Sequence, residues 1–573
     1  MQSIFIKTLV SFSQGDDCNK KILSELINEL VIAMSNGHSC LILEDYLLLY
    51  NSNNKVTFSL IDLIQILKQS NLCDFYSNSQ NCYKKPLVLI QIKTESTMLY
   101  FNRYYQYEKD IAAKVNNLLS FSELDFEDIE SEILALKVHL PPNLPNKNQI
   151  SAVQESAKNR FSIITGGPGT GKTTTIFILI LVLLRLYKIS LKIAIAAPTG
   201  KAVSRANESV LNSLNLFGNN HVISDTERNI ISNIKYRTIH KLLGYFNFNN
   251  SFKYCENNYL DYDILIIDES SMLSLTLYYN LLLAINDKTI KHVIFLGDKN
   301  QLSSVEEGHV FSDLINYYLY NRDNLIPNIT VNFLEESNRS QKSIELLAKS
   351  ILNDDIKQLL HIIDNSNNIF IKDCDLSKLV VDLFTKDGYL YNYIELIRQN
   401  KNFKELFLLF NQFSILCNKN IGKMGVDNIN NVVDDQIKSL LGISDVWYHG
   451  RAIIILENNQ SMGLVNGDIG ICLNEIDGYK IIFNNGRKIS THLLPRFSLA
   501  YAITIHKSQG SEYDNVMVVL DDYSNKILSK ELIYTAITRA KNYVSIYAEK
   551  NILLQAIQKR VTRSSGLGYF LRK

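Results

Sequence analysis

The sequence predicts an α/β protein: two doubly wound domains, a helical N-terminal domain ahead of them, and a small antiparallel β-barrel set into the second. Three observations predict it. Short apolar, β-branched runs alternate with helical stretches beyond the proline-rich segment ending at Pro145, as parallel strands covered on both faces do. The pattern occurs twice, on either side of helical sequence from Ser343 to Leu409. Within the second occurrence, Trp447 to Ile489 is dense in short strands and glycine turns. At 573 residues the chain is too long for one core, and about four units of about 150 residues is the prior. The expected domains are 1–135, 136–345 and 346–573, with the barrel at about 445–495.

Residues 1–135 carry no chemical motif. Amphipathic stretches such as Lys20 to Met34 and Leu60 to Lys68 alternate there with loops. The run Leu140-Pro141-Pro142-Asn143-Leu144-Pro145 then punctuates the chain as a boundary. Strands of the first α/β domain are expected at Phe161–Thr165, Lys192–Ala196, Ile264–Ile267 and His292–Leu296. The longest apolar run, Ile176 to Leu184, has nine residues and ends at Arg185. A bilayer span needs about twenty, so this run is a buried helix and no membrane partner is expected. Strands of the second domain are expected at Phe413–Cys417, Ala500–Thr504, Val516–Leu520 and Val544–Tyr547. Barrel strands are expected at Ile453–Leu456, Ile469–Leu473 and Lys480–Phe483, with Asn484-Asn485-Gly486 as a hairpin turn.

Hydrophobic residues at 46% and charged residues at 20% match an ordinary soluble globular protein. A formal net charge of +1 excludes a globally basic surface, so any nucleic-acid contact must be a local groove. The closest of the eight cysteines, Cys73 and Cys82, have C-x8-C spacing, and no CxxC occurs. That argues against a disulfide framework or a zinc ribbon and for thiols in a reducing cytosol. The opening MQSIFIKTLVSF lacks a long apolar region with a small-residue cleavage site, so it does not read as a signal peptide and a cytoplasmic location is expected.

The chemistry begins at Gly166-Gly167-Pro168-Gly169-Thr170-Gly171-Lys172-Thr173, which fits G-x4-G-K-[ST] between a strand and a helix. Glycines let backbone N–H groups wrap phosphates with no Cβ in the way, and the following helix turns its positive end to the same charge. Lys172 is placed to reach the β- and γ-phosphates, and Thr173 to ligate Mg2+. Asp268-Glu269 ends the apolar strand Ile264–Ile267, in the crevice where ligands of such sheets bind. Asp268 is the expected Mg2+ carboxylate and Glu269 the group that polarises the attacking water. Together these features mean ATP hydrolysis; kinases and transporters share them.

Six further segments narrow the class. In order they are Ala197-Pro198-Thr199-Gly200-Lys201-Ala202, Thr238-Ile239-His240-Lys241, Leu296-Gly297-Asp298-Lys299-Asn300-Gln301-Leu302, Glu336-Ser337-Asn338-Arg339-Ser340, Thr504-Ile505-His506-Lys507-Ser508-Gln509-Gly510-Ser511-Glu512 and Tyr534-Thr535-Ala536-Ile537-Thr538-Arg539-Ala540. The set resembles superfamily-one helicases, and its wording is similar to the RecD family, the alpha subunits of exonuclease V (RecBCD). The resemblance runs from about Asn146 to Tyr547, about seventy per cent of the chain. It implies two RecA-like motor domains, an SH3-like barrel insertion, and ATP with Mg2+ as cofactors. It further implies that Gln149 reads adenine, that Gln301 senses the γ-phosphate, and that Arg339 and Arg539 reach that phosphate in the closed motor. With the loop, Thr174 and Glu512 complete the implied ATP site, and Gln509, Gly510 and Glu512 form the segment coupling nucleotide to DNA. Pro198, Thr199, Thr238, His240, Thr504 and His506 are candidate single-strand contacts, although a structural hydroxyl or a core histidine explains each nearly as well.

One departure is Ser270-Ser271 after the Asp-Glu pair, where the family commonly has Ala then Ser. Only 165 residues precede the loop, which resembles the complex-bound form rather than isolated relatives with longer extensions. The implied function is a 5′-to-3′ DNA motor beside RecB-like and RecC-like subunits, acting on single strands and duplex ends in break repair and recombination, with residues 1–135 docking partners. The sequence holds no compact Asp/Glu/Lys nuclease cluster outside the ATPase motifs, so nuclease chemistry is expected on a partner. A stand-alone helicase and a non-catalytic scaffold are the rival readings.

Overall fold

The computed structural model describes residues 2–572 apart from 54–56, 77–83, 93–95, 142–143, 189, 219–222, 247–248, 322–328, 337–340, 387, 460, 477 and 522–527. Its largest sheet has six strands in the order Thr330–Leu334, Phe161–Gly166, His292–Gly297, Ile264–Ile267, Ile193–Ala197, Lys235–Thr238. Every pairing in it is parallel. The inner strands are buried on both faces, which is why they read as unbroken apolar runs. One face packs on helix Lys172–Tyr187, whose residues Thr175 to Leu184 are all buried. Helices Phe126–His139, Lys147–Lys158 and Gly200–Gly218 surround that helix, so its apolar run has no exposed stripe.

A second parallel sheet has the order Ile369–Lys372, Ala540–Tyr547, Tyr513–Val519, Phe413–Cys417, Ala502–Thr504. The two parallel sheets make this an α/β protein. Three of their strands lie at edges and were not expected from the sequence: Thr330–Leu334, Lys235–Thr238 and Ile369–Lys372. The last interrupts the stretch expected to be wholly helical. Lys235–Thr238 alternates exposed and half-buried, Ile369–Lys372 buries only its first residue, and Asn332 interrupts Thr330–Leu334, so the continuous apolar signal is missing.

Between two strands of the second sheet lies an antiparallel sheet ordered Lys488–Ser490, Gly478–Phe483, Ile469–Glu475, Ala452–Ile455, Phe497–Leu499. It has its own small core around Ile453, Ile455, Leu464, Cys472, Ile481 and Phe483. Gly486, at φ 77°, turns the hairpin after Phe483. The chain therefore leaves the antiparallel sheet at Leu499 and enters the parallel one at Ala502, two elements where one strand was expected.

The N-terminal region corrects the expectation of a helical domain. Helices Asp17–Ser35 and Leu60–Gln69 are present, but they cover a four-stranded sheet ordered Leu41–Ile42, Thr97–Phe101, Leu87–Gln91, Cys73–Phe75. Strands such as Leu87–Gln91 are short and almost wholly buried, and periodicity alone cannot separate such a run from a helix segment. This sheet shares a core with helices Asp17–Ser35 and Leu60–Gln69. Helix Asn102–Leu118 instead joins the core of the six-stranded sheet, where Tyr107 stacks on Tyr279 at 4.1 Å. Helix Phe126–His139 spans the expected boundary at residue 135. At the other end, helix Leu567–Leu571 returns to the core of the six-stranded sheet, burying Leu567, Phe570 and Leu571.

Candidate active site

Strand Phe161–Gly166 runs into the glycine loop, and helix Lys172–Tyr187 leaves it. Gly169 and Gly171 have φ of 79° and 81°, a region that Cβ-bearing residues resist. A Cβ on Gly171 would lie 2.2 Å from Gln149 Nε2, and one on Gly166 would lie 2.8 Å from the Leu334 carbonyl oxygen. This tight winding converges the loop N–H groups and the helix N-terminus into an anion cradle. Lys172 Nζ folds over it, donating to the Gly166 and Gly167 carbonyls at 2.6 and 3.0 Å.

Gln149 is fully buried beneath the loop. Its Nε2 donates to the Thr170 carbonyl at 3.2 Å, and its Oε1 accepts the Asn146 N–H at 3.0 Å. The amide therefore ties the loop at Thr170 to the helix N-cap at Asn146, using one of its two N–H groups.

Asp268 follows the strand Ile264–Ile267, and its Oδ1 accepts the Glu269 N–H at 2.8 Å. Glu269 sits at φ 51°, a strained backbone of the kind concentrated at functional sites. Burial pushes the Asp268 carboxyl up to about 6, the Glu269 charge adds to the rise, and Lys172 opposes it. Gln301 donates to Asp298 at 3.1 Å. Tyr534, from the second domain, donates to the same carboxylate at 3.1 Å.

The second domain closes the cleft. A cavity of about 80 Å3 is lined by Lys172, Thr173, Thr174, Asp268, Glu269 and Gln301 on one side and by Gly510, Glu512 and Arg539 on the other. Arg539 is buried, donating through Nε to the Thr535 carbonyl and through Nη1 to the Ser511 carbonyl, both at 3.1 Å. Its Nη2 is buried with no hydrogen-bond partner among the described residues. Burial lowers the guanidinium's pKa, while Glu269 and Glu512 support its charge. A larger cavity of about 400 Å3 adjoins the loop, with Phe333, Leu334, Ala348 and Leu352 among its lining. Its size and apolar wall suit a planar base. Arg339 lies outside the described residues.

The six candidate strand contacts do not line this cleft; they follow the C-terminal ends of strands at or next to a sheet edge. Pro198 and Thr199 follow Ile193–Ala197, Thr238 ends Lys235–Thr238, and Thr504 ends Ala502–Thr504 with His506 in the next turn. Thr199, Thr238 and Thr504 each accept an N–H three residues ahead, from Ala202, Lys241 and Lys507, at 3.2, 3.4 and 3.3 Å. Each hydroxyl thus caps the turn that starts there. His240 packs edge-on against Tyr245 at 5.4 Å, and burial lowers the pKa of both His240 and His506.

Arg205, not singled out in the sequence, also lines the phosphate cavity and pairs with Glu512. Its only sequence signal is its position five residues into the helix headed by Gly200.

A glycine-loop sheet closed by a buried arginine from a second parallel sheet defines a two-domain superfamily-one helicase motor. Comparisons with known sequences agree. The model of the AAA domain matches residues 149–307, and that of the UvrD-like helicase C-terminal domain matches 499–547. The RecBCD enzyme subunit RecD of Haemophilus influenzae is 33% identical over 532 residues, covering 82% of this chain and 80% of that one. Its namesakes in Buchnera aphidicola subsp. Schizaphis graminum and Mycolicibacterium smegmatis are 29% and 30% identical, each over 83% of this chain and over 83% and 82% of their own. A solved Bacteroides Pif1 helicase with ADP-AlF3 and single-stranded DNA aligns over 72% of this chain and 94% of its own, at 18% identity and a TM-score of 0.41. The chain belongs to the RecD family, and it is a DNA helicase driven by ATP.

Proposed function

We propose that this chain is the 5′-to-3′ motor of a three-subunit helicase–nuclease, working at duplex ends beside a RecB-like motor-nuclease and a RecC-like scaffold in break repair and recombination. The names of its relatives over four-fifths of the chain support this assembly. The observation that carries the motor reading is Arg539, on the wall opposite the glycine loop, whose Nη2 is buried and unpartnered among the described residues.

In this reading the loop 166–173 and Thr174 hold the triphosphate, with Lys172 exchanging its two carbonyls for phosphate oxygens. Thr173 and Asp268 are the donors for a Mg2+ ion that arrives with ATP. A hydroxyl and one carboxylate fall short of a cage, which suits an ion that keeps waters and phosphate oxygens as its other ligands. Such an ion, when bound, neutralises charge between the phosphates. Glu269 orients the attacking water, Gln301 detects the γ-phosphate, and Arg539, joined by Arg339, stabilises charge that grows in the transition state. Gln149 holds the loop in shape through Thr170 and offers adenine its remaining N–H. Pro198, Thr199, Thr238, His240, Thr504 and His506, at these strand ends, line the track of the single strand. The antiparallel insertion is read as the SH3-like barrel, and the segment up to about residue 135 as the docking domain.

The test is single-strand-stimulated ATPase and unwinding by the purified chain, with Lys172→Gln as control and with RecB-like and RecC-like partners added back. DNA-stimulated hydrolysis lost in Lys172→Gln, with unwinding that depends on the partners, is expected. Robust unwinding by the lone chain would instead make it a stand-alone helicase. Equal hydrolysis by wild type and Lys172→Gln would remove the motor reading.

A further inference from the structure

Helix Gly200–Gly218 begins directly after Pro198 and Thr199, at the edge proposed to carry the single strand. Its first two turns face the second domain, against the segment 510–513. The Cβ of Ala202 lies 3.6 Å from where Gly510 would carry its own, and Lys201 Nζ sits 5.9 Å from the centre of the Tyr513 ring. One turn further along, Arg205 forms an ion pair with Glu512. The Glu512 side chain is only 11% exposed and that of Arg205 33%, so the pair is shielded from the water and salt that weaken surface pairs. Both residues line the phosphate cavity.

We propose that Arg205 is a positioning residue that transmits DNA binding to the nucleotide cleft through its pairing with Glu512. This inference rests on the motor reading above. The helix is a rigid lever: its N-terminal turn is capped by Thr199, and a strand bound there sets the lever's angle. Arg205, one to two turns along, converts that angle into the position of Glu512. Glu512 lies three residues after Gln509, whose Nε2 donates to the Leu302 carbonyl at 2.9 Å, beside Gln301. Moving Glu512 therefore moves the wall that faces the sensor loop. Arg205 also adds a third positive charge to a cleft already holding Lys172 and Arg539. Without its carboxylate partner, that charge would repel Arg539 from its place.

The test measures ATP turnover by the full chain, with and without oligo(dT), for wild type, Arg205→Ala, Arg205→Lys, Glu512→Gln and the double variant Arg205→Ala/Glu512→Gln. Loss of coupling in Arg205→Ala is expected to lower DNA-stimulated kcat about tenfold, within the usual range of allosteric couplings, with KM for ATP changed less than about threefold. Arg205→Lys should recover part of the stimulation, because the charge remains and the fork geometry is lost. The double variant should be no worse than the poorer single one, as for two groups acting as a unit. Wild-type stimulation in Arg205→Ala, or strictly additive losses in the double variant, would overturn the proposal. If Arg205→Ala does not fold, wild-type stimulation by a folded Arg205→Lys and Glu512→Gln overturns it equally. A wild-type chain with no DNA-stimulated turnover counts against the motor reading itself.

Discussion

At the scale of single residues, Arg539 and His292 show how burial sets what a charged group can do. Arg539 uses two of its nitrogens on backbone carbonyls and leaves the third buried with no partner among the described residues. Arg539→Ala should therefore lower ATP turnover by about 10³-fold or more, as for other transition-state arginines, with fluorescent-ADP affinity largely kept. Equal loss of affinity in Arg539→Ala and Lys172→Gln would show that the arginine serves binding instead. His292 is wholly buried, with Nδ1 donating to the Asn159 carbonyl at 3.1 Å and Nε2 accepting from Tyr187 at 3.0 Å. Burial depresses its pKa to about 4. Between its free value near 6.5 and about 4 the unfolded chain gains a proton that the folded chain refuses, so stability drops as pH falls through that window. Urea melts at pH 7 and pH 4.5 should show His292→Gln with a shallower pH dependence than wild type. The arginine was legible because YTAITRA fixes its setting; the buried histidine was not, since its two partners come from elements 105 and 133 residues away. Arg205 escaped for the same reason, because its meaning depends on a carboxylate in the other domain.

At the scale of elements, the glycine loop was legible in full and its brace was not. G-x4-G-K-[ST] states the loop's own needs, whereas the capping box Asn146–Gln149 beneath it arises from a helix start that the sequence marks only weakly. Gly171→Ala should remove nucleotide binding, because φ of 81° strains any side chain and the new methyl meets Gln149. Adding Gln149→Ala relieves the contact and leaves the strain, so fluorescent-ADP titration should show partial recovery in the pair. A fully recovered pair would mean that contact alone matters. Central strands announced themselves because both their faces are covered. The edge strands did not, and neither did the N-terminal sheet, whose short buried runs carry no period.

At the scale of the whole molecule, the proposed nucleotide and DNA sites divide one sheet between them. The strands that feed the phosphate cleft are central ones, ending at Gly166, Ile267 and Gly297, while Thr199 and Thr238 follow the pair at one margin. The two-domain plan could be read from the repeated strand pattern, but the route of the C-terminal segment could not. Phe570→Ala should cost about 3–5 kcal/mol in urea melts, the range for emptying a buried aromatic site, although Phe570 lies far in sequence from the core it completes. A loss under about 1 kcal/mol would mean that the returning helix is peripheral. That return has a mechanical meaning. The second motor domain is joined to the rest by two lengths of chain, one between Leu334 and Lys342 and one between Gln558 and Leu567. The latter is pinned by Arg563 on the Ser304, Glu306 and Gly308 carbonyls. A body attached at two points pivots about the line through them and resists twisting or sliding across it. On the proposed motor reading, a double attachment of this kind favours a hinge-like opening of the cleft over sliding of one domain past the other.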